Sequence, residues 1–166
     1  MSILKVQQLQ HTNGTVGLDI NTNGSVHIPG HVLQTIQFTS NEQNIGGGSG
    51  TTLINATFTP KVSGSKFAVW IAIPSCTASS GGYLICKCNL GTNSSPNSNT
   101  EVIYVAERME GTGAQDTRGV NGHDYGTFTC SSTGTHYASC VVTPTNNCVI
   151  ARHSAKVKML IQEIAQ

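Results

Sequence analysis

Charge is scarce in this sequence. Lys, Arg, Asp and Glu supply 10% of its 166 residues, and the eight acidic ones are scattered. General acid–base catalysis needs titratable groups gathered in one place, so this distribution argues for a non-enzymatic protein. A net charge of +1 leaves no electrostatic footprint for nucleic acid or for an anionic membrane. No window approaches the roughly 20 apolar residues needed to cross a bilayer. The opening Met1-Ser2-Ile3-Leu4-Lys5-Val6-Gln7-Gln8 has no apolar core of signal-peptide length, from which we expect folding in a cytoplasm. Aromatic residues are also few, at 5%.

What fills the chain instead is Gly, Ser, Thr and Asn, interrupted by short β-branched runs. Val32–Thr39 and Thr52–Phe58 alternate apolar with polar residues, the signature of a half-buried strand. Lys66–Ile73 is apolar on both faces and reads as a central, buried strand. Tyr83–Leu90, Val102–Ala106, Phe128–Ser131, His136–Thr143, Cys148–Arg152 and Val157–Ile164 follow. The last has helical propensity, but its Val157/Met159/Ile161 alternation favours strand. Residues 43–51, 91–100 and 110–126 read as loops. The Gly-rich 46–50 stretch lacks the Lys and following helix of a phosphate-binding loop. The expected fold is all-β: a jelly-roll-like antiparallel sandwich of about eight strands over residues 31–166, preceded by an extended segment at 1–30.

That N-terminal segment repeats itself. Thr12-Asn13-Gly14-Thr15-Val16-Gly17-Leu18 is echoed by Thr22-Asn23-Gly24-Ser25-Val26-His27-Ile28. Asn-Gly supplies the positive φ angles of a type I′ turn, and each copy continues into two-residue alternation. Val16, Leu18 and Ile20 form one apolar stripe, Val26 and Ile28 another. So small a set of strands cannot bury its apolar face alone and needs a partner surface.

Six cysteines are present: Cys76, Cys86, Cys88, Cys130, Cys140 and Cys148. A chain this long can build its core without disulfides, and most of the cysteines fall at apolar positions of strands. They read as small buried hydrophobes, with disulfides and metal ligation as the other options. Cys86-Lys87-Cys88 has the wrong spacing for a zinc knuckle and no His-x3-5-His accompanies it, so no metal ligand is assigned.

The opening Ser2-Ile3-Leu4-Lys5-Val6 with Leu9-Gln10, the junction Pro29-Gly30-His31-Val32-Leu33-Gln34, Phe58-Thr59-Pro60 with Ser63-Gly64-Ser65-Lys66-Phe67-Ala68-Val69, and the ending Lys158–Gln166 are together similar to small virion proteins of tailed phages, including those of cyanobacteria. The resemblance implies a tail-fibre or other virion structural component: a β-sandwich homotrimer attached to tail or capsid proteins through residues 1–30. Within it a head-decoration protein is the alternative, and a virion-borne carbohydrate-active enzyme a further one. The six cysteines depart from the pattern of those proteins, and residues 83–126 match nothing in it.

Asp116, His123 and Asp124 lie near Arg118 and Tyr125 in the 110–126 stretch, flanked by Glu107 and Glu110. A glycosidase would need two such carboxylates held roughly 5–10 Å apart across a sugar. A solvated loop that collects polar residues explains the same cluster, and no catalytic or cofactor-binding residue is assigned. His11, His27 and His31 could meet around a threefold axis, or be ordinary surface imidazoles. Asn13, Asn23, Asn55 and Asn93 begin sequons that matter only in a secretory pathway. Surface amides and hydroxyls, with Tyr83, Tyr104, Tyr125 and Tyr137, could recognise a host glycan.

Overall fold

In a computed structural model the described residues are 8–10, 16–20, 26–28, 30–78, 81–109, 117–151 and 155–166, with backbone only at 8–10, 16–20, 26–27, 78 and 117–118. Thirteen strands run through them: β1 Gln8–Gln10, β2 Val16–Ile20, β3 Val26–His27, β4 Val32–Ser40, β5 Gln43–Ile45, β6 Thr51–Phe58, β7 Lys66–Ala78, β8 Gly82–Gly91, β9 Thr100–Met109, β10 Thr117–Thr129, β11 His136–Pro144, β12 Cys148–Ile150 and β13 Val157–Ile164. A single 3₁₀ turn, Pro96–Ser98, interrupts the β8–β9 connection. No helix among the described residues is long and apolar enough to cross a membrane.

Strand β7 organises one sheet. It is central, with neighbours on both edges, and Phe67, Val69, Ile71 and Ile73 are buried inward; the outer face, expected to be buried as well, leaves Trp70 39% exposed. Along one edge it pairs with β10 from Lys66 to Thr77. Along the other it pairs first with β13, over Lys66–Ala72, and then with β12, over Cys76–Ala78. Next out lie β4 against β13 and β5 against β12. The sheet is therefore four strands wide, in the order β4/β5, β13/β12, β7, β10. The opposing sheet runs β6-β11-β8-β9, and every pairing in both is antiparallel. With β4/β5 and β12/β13 each counted as one strand, successive strands alternate between the two sheets except at the β8–β9 hairpin, which is the strand order of an eight-stranded jelly roll.

The core fills the space between the sheets. Phe67, Ile71 and Ile73 of β7 and Met159 and Ile161 of β13 face Leu84, Cys86, Cys88 and Leu90 of β8 and Ala138, Cys140 and Val142 of β11. At one end Phe58, Phe67, Phe128 and His136 form a ring cluster, with centroids 5.3–5.9 Å apart. Full burial of each large apolar side chain contributes about 1.5–3 kcal/mol.

The two ends of the sandwich differ. Val32, Ile164 and Lys66 share the end where the ring cluster sits, and there Gly30 N donates to Ala165 O at 2.8 Å and Ala165 N to His31 O at 2.9 Å. This is where the N-terminal segment enters, so it is called the proximal end. Glu163, fully buried, locks the 59–65 loop there. Its carboxylate accepts from the backbone N–H of Lys61 (2.8 and 2.9 Å) and Val62 (2.9 Å), from Ser65 Oγ (2.6 Å) and from Gln34 Nε2 (2.5 Å). The opposite, distal end carries the 46–50 and 145–147 turns.

Three expectations change. The 110–126 loop is mostly strand: from Thr117 the chain is β10, pairing with β7. Its glycines disguised it, yet one of them is what the packing requires. A Cβ on Gly122 would sit 2.7 Å from Ile103 Cγ2 and 2.9 Å from Val105 Cγ2, so the opposing sheet closes onto bare backbone. The expected Phe128–Ser131 strand is only the end of β10, and the 43–51 loop contains β5. The N-terminal strands β1, β2 and β3 pair in order into a sheet of their own. The Asn13-Gly14 and Asn23-Gly24 turns and the Val16/Leu18/Ile20 stripe lie outside what is described.

Candidate functional site

The distal end is ordered by hydrogen bonds between turns. Gly47 N donates to Asn147 Oδ1 at 2.8 Å and Gly48 N to Pro144 O at 2.7 Å. Thr145 N donates to Tyr83 O, and Tyr83 N returns a bond to Thr145 Oγ1, both at 2.9 Å. Asn146 Nδ2 donates to Gly81 O at 2.5 Å. Glycine is required where these backbones meet: a Cβ on Gly47 would lie 2.8 Å from Asn146 Cα and Thr145 O. The product is a platform of amides, hydroxyls and backbone, with the exposed ring of Tyr83 beside it and exposed Arg108 opposite Tyr83 on β9. Such a surface can exchange hydrogen bonds with a neutral polyhydroxylated ligand and offer a ring face for stacking.

A second surface lies on the flank. Register places Gln37, Leu160, Trp70 and His123 in one row across the outer face of the β7 sheet, with Thr35, Gln162, Ala68 and Tyr125 in the next. Trp70 is 39% exposed and Tyr125 60%. A sole tryptophan on the outside of a sheet, beside Leu160 and Tyr125, is an apolar patch rimmed by amides.

At the proximal end a cavity of about 210 Å³ is lined by Gly91, Thr92, Ser98, Asn99, Thr100, Phe128, Thr129, Ser131 and His136. His136 Nδ1 lies 2.9 Å from Gly134 O, while its buried Nε2 has no partner. With the ring packed between Phe58 and Phe128, the histidine acts mainly as a core residue.

The catalytic candidates do not converge. His123 and Asp124 are successive strand residues and so point to opposite faces. Asp124 is engaged with Thr127, whose Oγ1 donates to it at 2.8 Å and whose N–H donates at 3.3 Å. Glu107 is exposed on β9, and the side chain of Arg118 is not described. Asp116, Glu110 and His11 lie outside the described residues; His27 is described in backbone only, and His31 is exposed. Of the sequon residues, Asn55 donates from Nδ2 to Ser94 O at 3.2 Å, and Asn93 Oδ1 accepts from Ser95 N at 2.8 Å just ahead of the 3₁₀ turn. Tyr104 is exposed on the outer face of β9, with Lys87 Nζ 5.1 Å from its ring centroid. Lys87 also pairs with Glu101 at 2.8 Å, a bond that raises the lysine's pKa.

All six cysteines are buried and none is disulfide-bonded, in line with their reading as apolar core residues. Cys130 Sγ contacts Val62 O at 3.0 Å, and Cys76 Sγ contacts Met109 Sδ at 3.2 Å. Cys86 and Cys88 are joined by Cys140 from the neighbouring strand, the three sulfurs lying within 4.8 Å of one another. Sequence reasoning missed this trio because Cys140 is remote along the chain. It also missed Glu163, whose partners are equally remote.

No protein-family model matches the sequence, and no curated protein does. Among solved structures, the VP2 subviral particle of infectious bursal disease virus is similar over 85% of this chain and 35% of its own, at 13% identity and a TM-score of 0.44. Infectious bursal disease virus of the Gt strain is similar over 91% of this chain and 45% of its own, at 10% identity and a TM-score of 0.43. T=1 particles derived from infectious bursal virus are similar over 86% and 39%, at 11% identity and a TM-score of 0.42. The chain spans less than half the length of each, and likeness at this level adds nothing to the strand order that the chain itself displays.

Proposed function

We propose that this chain is a non-enzymatic structural component of a phage virion, a tail-fibre or receptor-binding subunit that works as a homotrimer. One observation carries the reading: the molecule has two distinct ends. A separate three-stranded sheet leads into the proximal end, and an ordered platform of amides, hydroxyls and backbone closes the distal one. An attachment segment at one end and a display surface at the other suit a protein that is fixed to a particle and presents its tip. The resemblance of residues 2–6, 9–10, 29–34, 58–60, 63–69 and 158–166 to tailed-phage proteins points the same way.

In this reading residues 1–30 hold the trimer and bind a neighbouring virion protein. The Trp70–Leu160–Tyr125 flank lies against the adjacent subunit. The distal turns at 46–50 and 145–147, with Tyr83, contact a neutral host-surface glycan. The 91–100 loop belongs to the proximal end and takes no part. The test is adsorption: labelled full-length chain binds host cells, and Tyr83→Ala with Asn146→Ala reduces binding at least tenfold while leaving the fold intact. A head-decoration protein would bind capsids lacking it and leave host cells bare.

A further inference from the structure

Burial alone does not explain where three of the cysteines point. Inward positions of β8 and β11 could be filled by Val or Ala, as Val142 and Ala138 illustrate. Instead Cys140 pairs directly opposite Cys88, and Cys86 follows two residues along on the same face. Cys86 Sγ lies 3.7 Å from Cys140 Sγ, and all three sulfurs fall within 4.8 Å of one another.

We propose that Cys86, Cys88 and Cys140 form a trigonal site for one soft monovalent cation of the Cu(I) class. Geometry and charge both select it. A metal–sulfur bond of about 2.3 Å in a trigonal plane sets the sulfurs about 4.0 Å apart, inside the observed spread. Sulfur donors favour soft d¹⁰ ions, and three donors without a fourth leave a tetrahedral zinc site incomplete. The surroundings are apolar, with Leu84, Leu90, Ala138 and Val142 as the inward neighbours on the same two strands. Buried net charge is costly there. One Cu(I) entering as one thiol proton leaves keeps the core neutral: one thiolate and two thiols share the ion, and no sulfur changes oxidation state. A divalent ion would have to expel two protons to do the same.

The test is an anaerobic titration of the full chain with Cu(I), supplied as its acetonitrile complex, against a colorimetric Cu(I) chelator. We expect near-ultraviolet thiolate-to-copper absorption and a bound equivalent that the chelator does not remove. Cys86→Ala should lower the stoichiometry by one, whereas Cys130→Ala, whose sulfur lies elsewhere, should leave it unchanged. A second equivalent at Cys76 and Met109 would not alter that difference. If Cys86→Ala fails to fold by far-ultraviolet circular dichroism, Cys88→Ser takes its place with the same required loss. Bound Cu(I) should also raise the melting temperature of the unmodified chain. Complete transfer of copper to the chelator by the folded chain, or equal stoichiometry in the Cys86 and Cys130 variants, overturns the proposal.

Discussion

Glu163 and Gly122 have in common that each matters through groups far away in sequence. The Glu163 carboxylate satisfies two backbone N–H groups, a hydroxyl and an amide that close the proximal loop, and no cation shares the bond set among these partners. Its removal leaves buried donors unpaired, so Glu163→Ala should cost about 3 kcal/mol, read as a lower urea midpoint with an unchanged m-value. Gly122→Ala forces a methyl group into Ile103 and Val105 and should cost about 1–3 kcal/mol in the same assay. Neither role was legible in sequence. The Val157/Met159/Ile161 alternation puts position 163 on the inward face, yet nothing in the sequence names the remote donors a carboxylate there needs, and a glycine reads as a loop, because groups far away along the chain decide both. The cysteines were legible in burial and not in convergence, for the same reason.

At the scale of elements, legibility followed apolar alternation. Strands β4, β6, β7, β8, β11 and β13 carry it, and their expected spans match the observed ones to within a few residues except that β7 runs on to Ala78. Strand β10 does not carry it. Gly119, Gly122 and Gly126 break its pattern, and it exists because β7 offers a long unpaired edge. As an edge strand β10 should exchange its outward amides faster than β7 and β13 exchange theirs, which hydrogen–deuterium exchange resolves by peptide. The N-terminal sheet forms a separate prediction. The junction bonds of Gly30 and Ala165 are local, so a chain of residues 31–166 should keep the sandwich's circular dichroism. By light scattering it should be monomeric, whereas the full chain should show three times the 17.4 kDa subunit mass.

For the molecule as a whole, the composition foretold the architecture well. Scarce charge, abundant turn residues and eight evenly spaced strands leave few alternatives to a two-layer antiparallel fold. Composition could not tell which loops share an end, since that follows from strand order alone. The proximal placement of 91–100 and the distal placement of 46–50 with 145–147 emerged only with the sheets assembled. Sheets joined by such non-local pairs close slowly, and refolding on the millisecond-to-second scale is expected in stopped-flow fluorescence. Trp70, the only tryptophan, lies on the flank assigned to the subunit contact, so its emission should shift to the blue as the trimer assembles.

The most direct measurement is a cryo-electron microscopy map of the purified particle that carries this chain. The account predicts threefold-related jelly-roll density on the tail, with the proximal end against the particle and the 46–50 and 145–147 turns outermost. Density over the head lattice would replace the fibre with a decoration protein, and absence of the chain from the particle would contradict the account altogether.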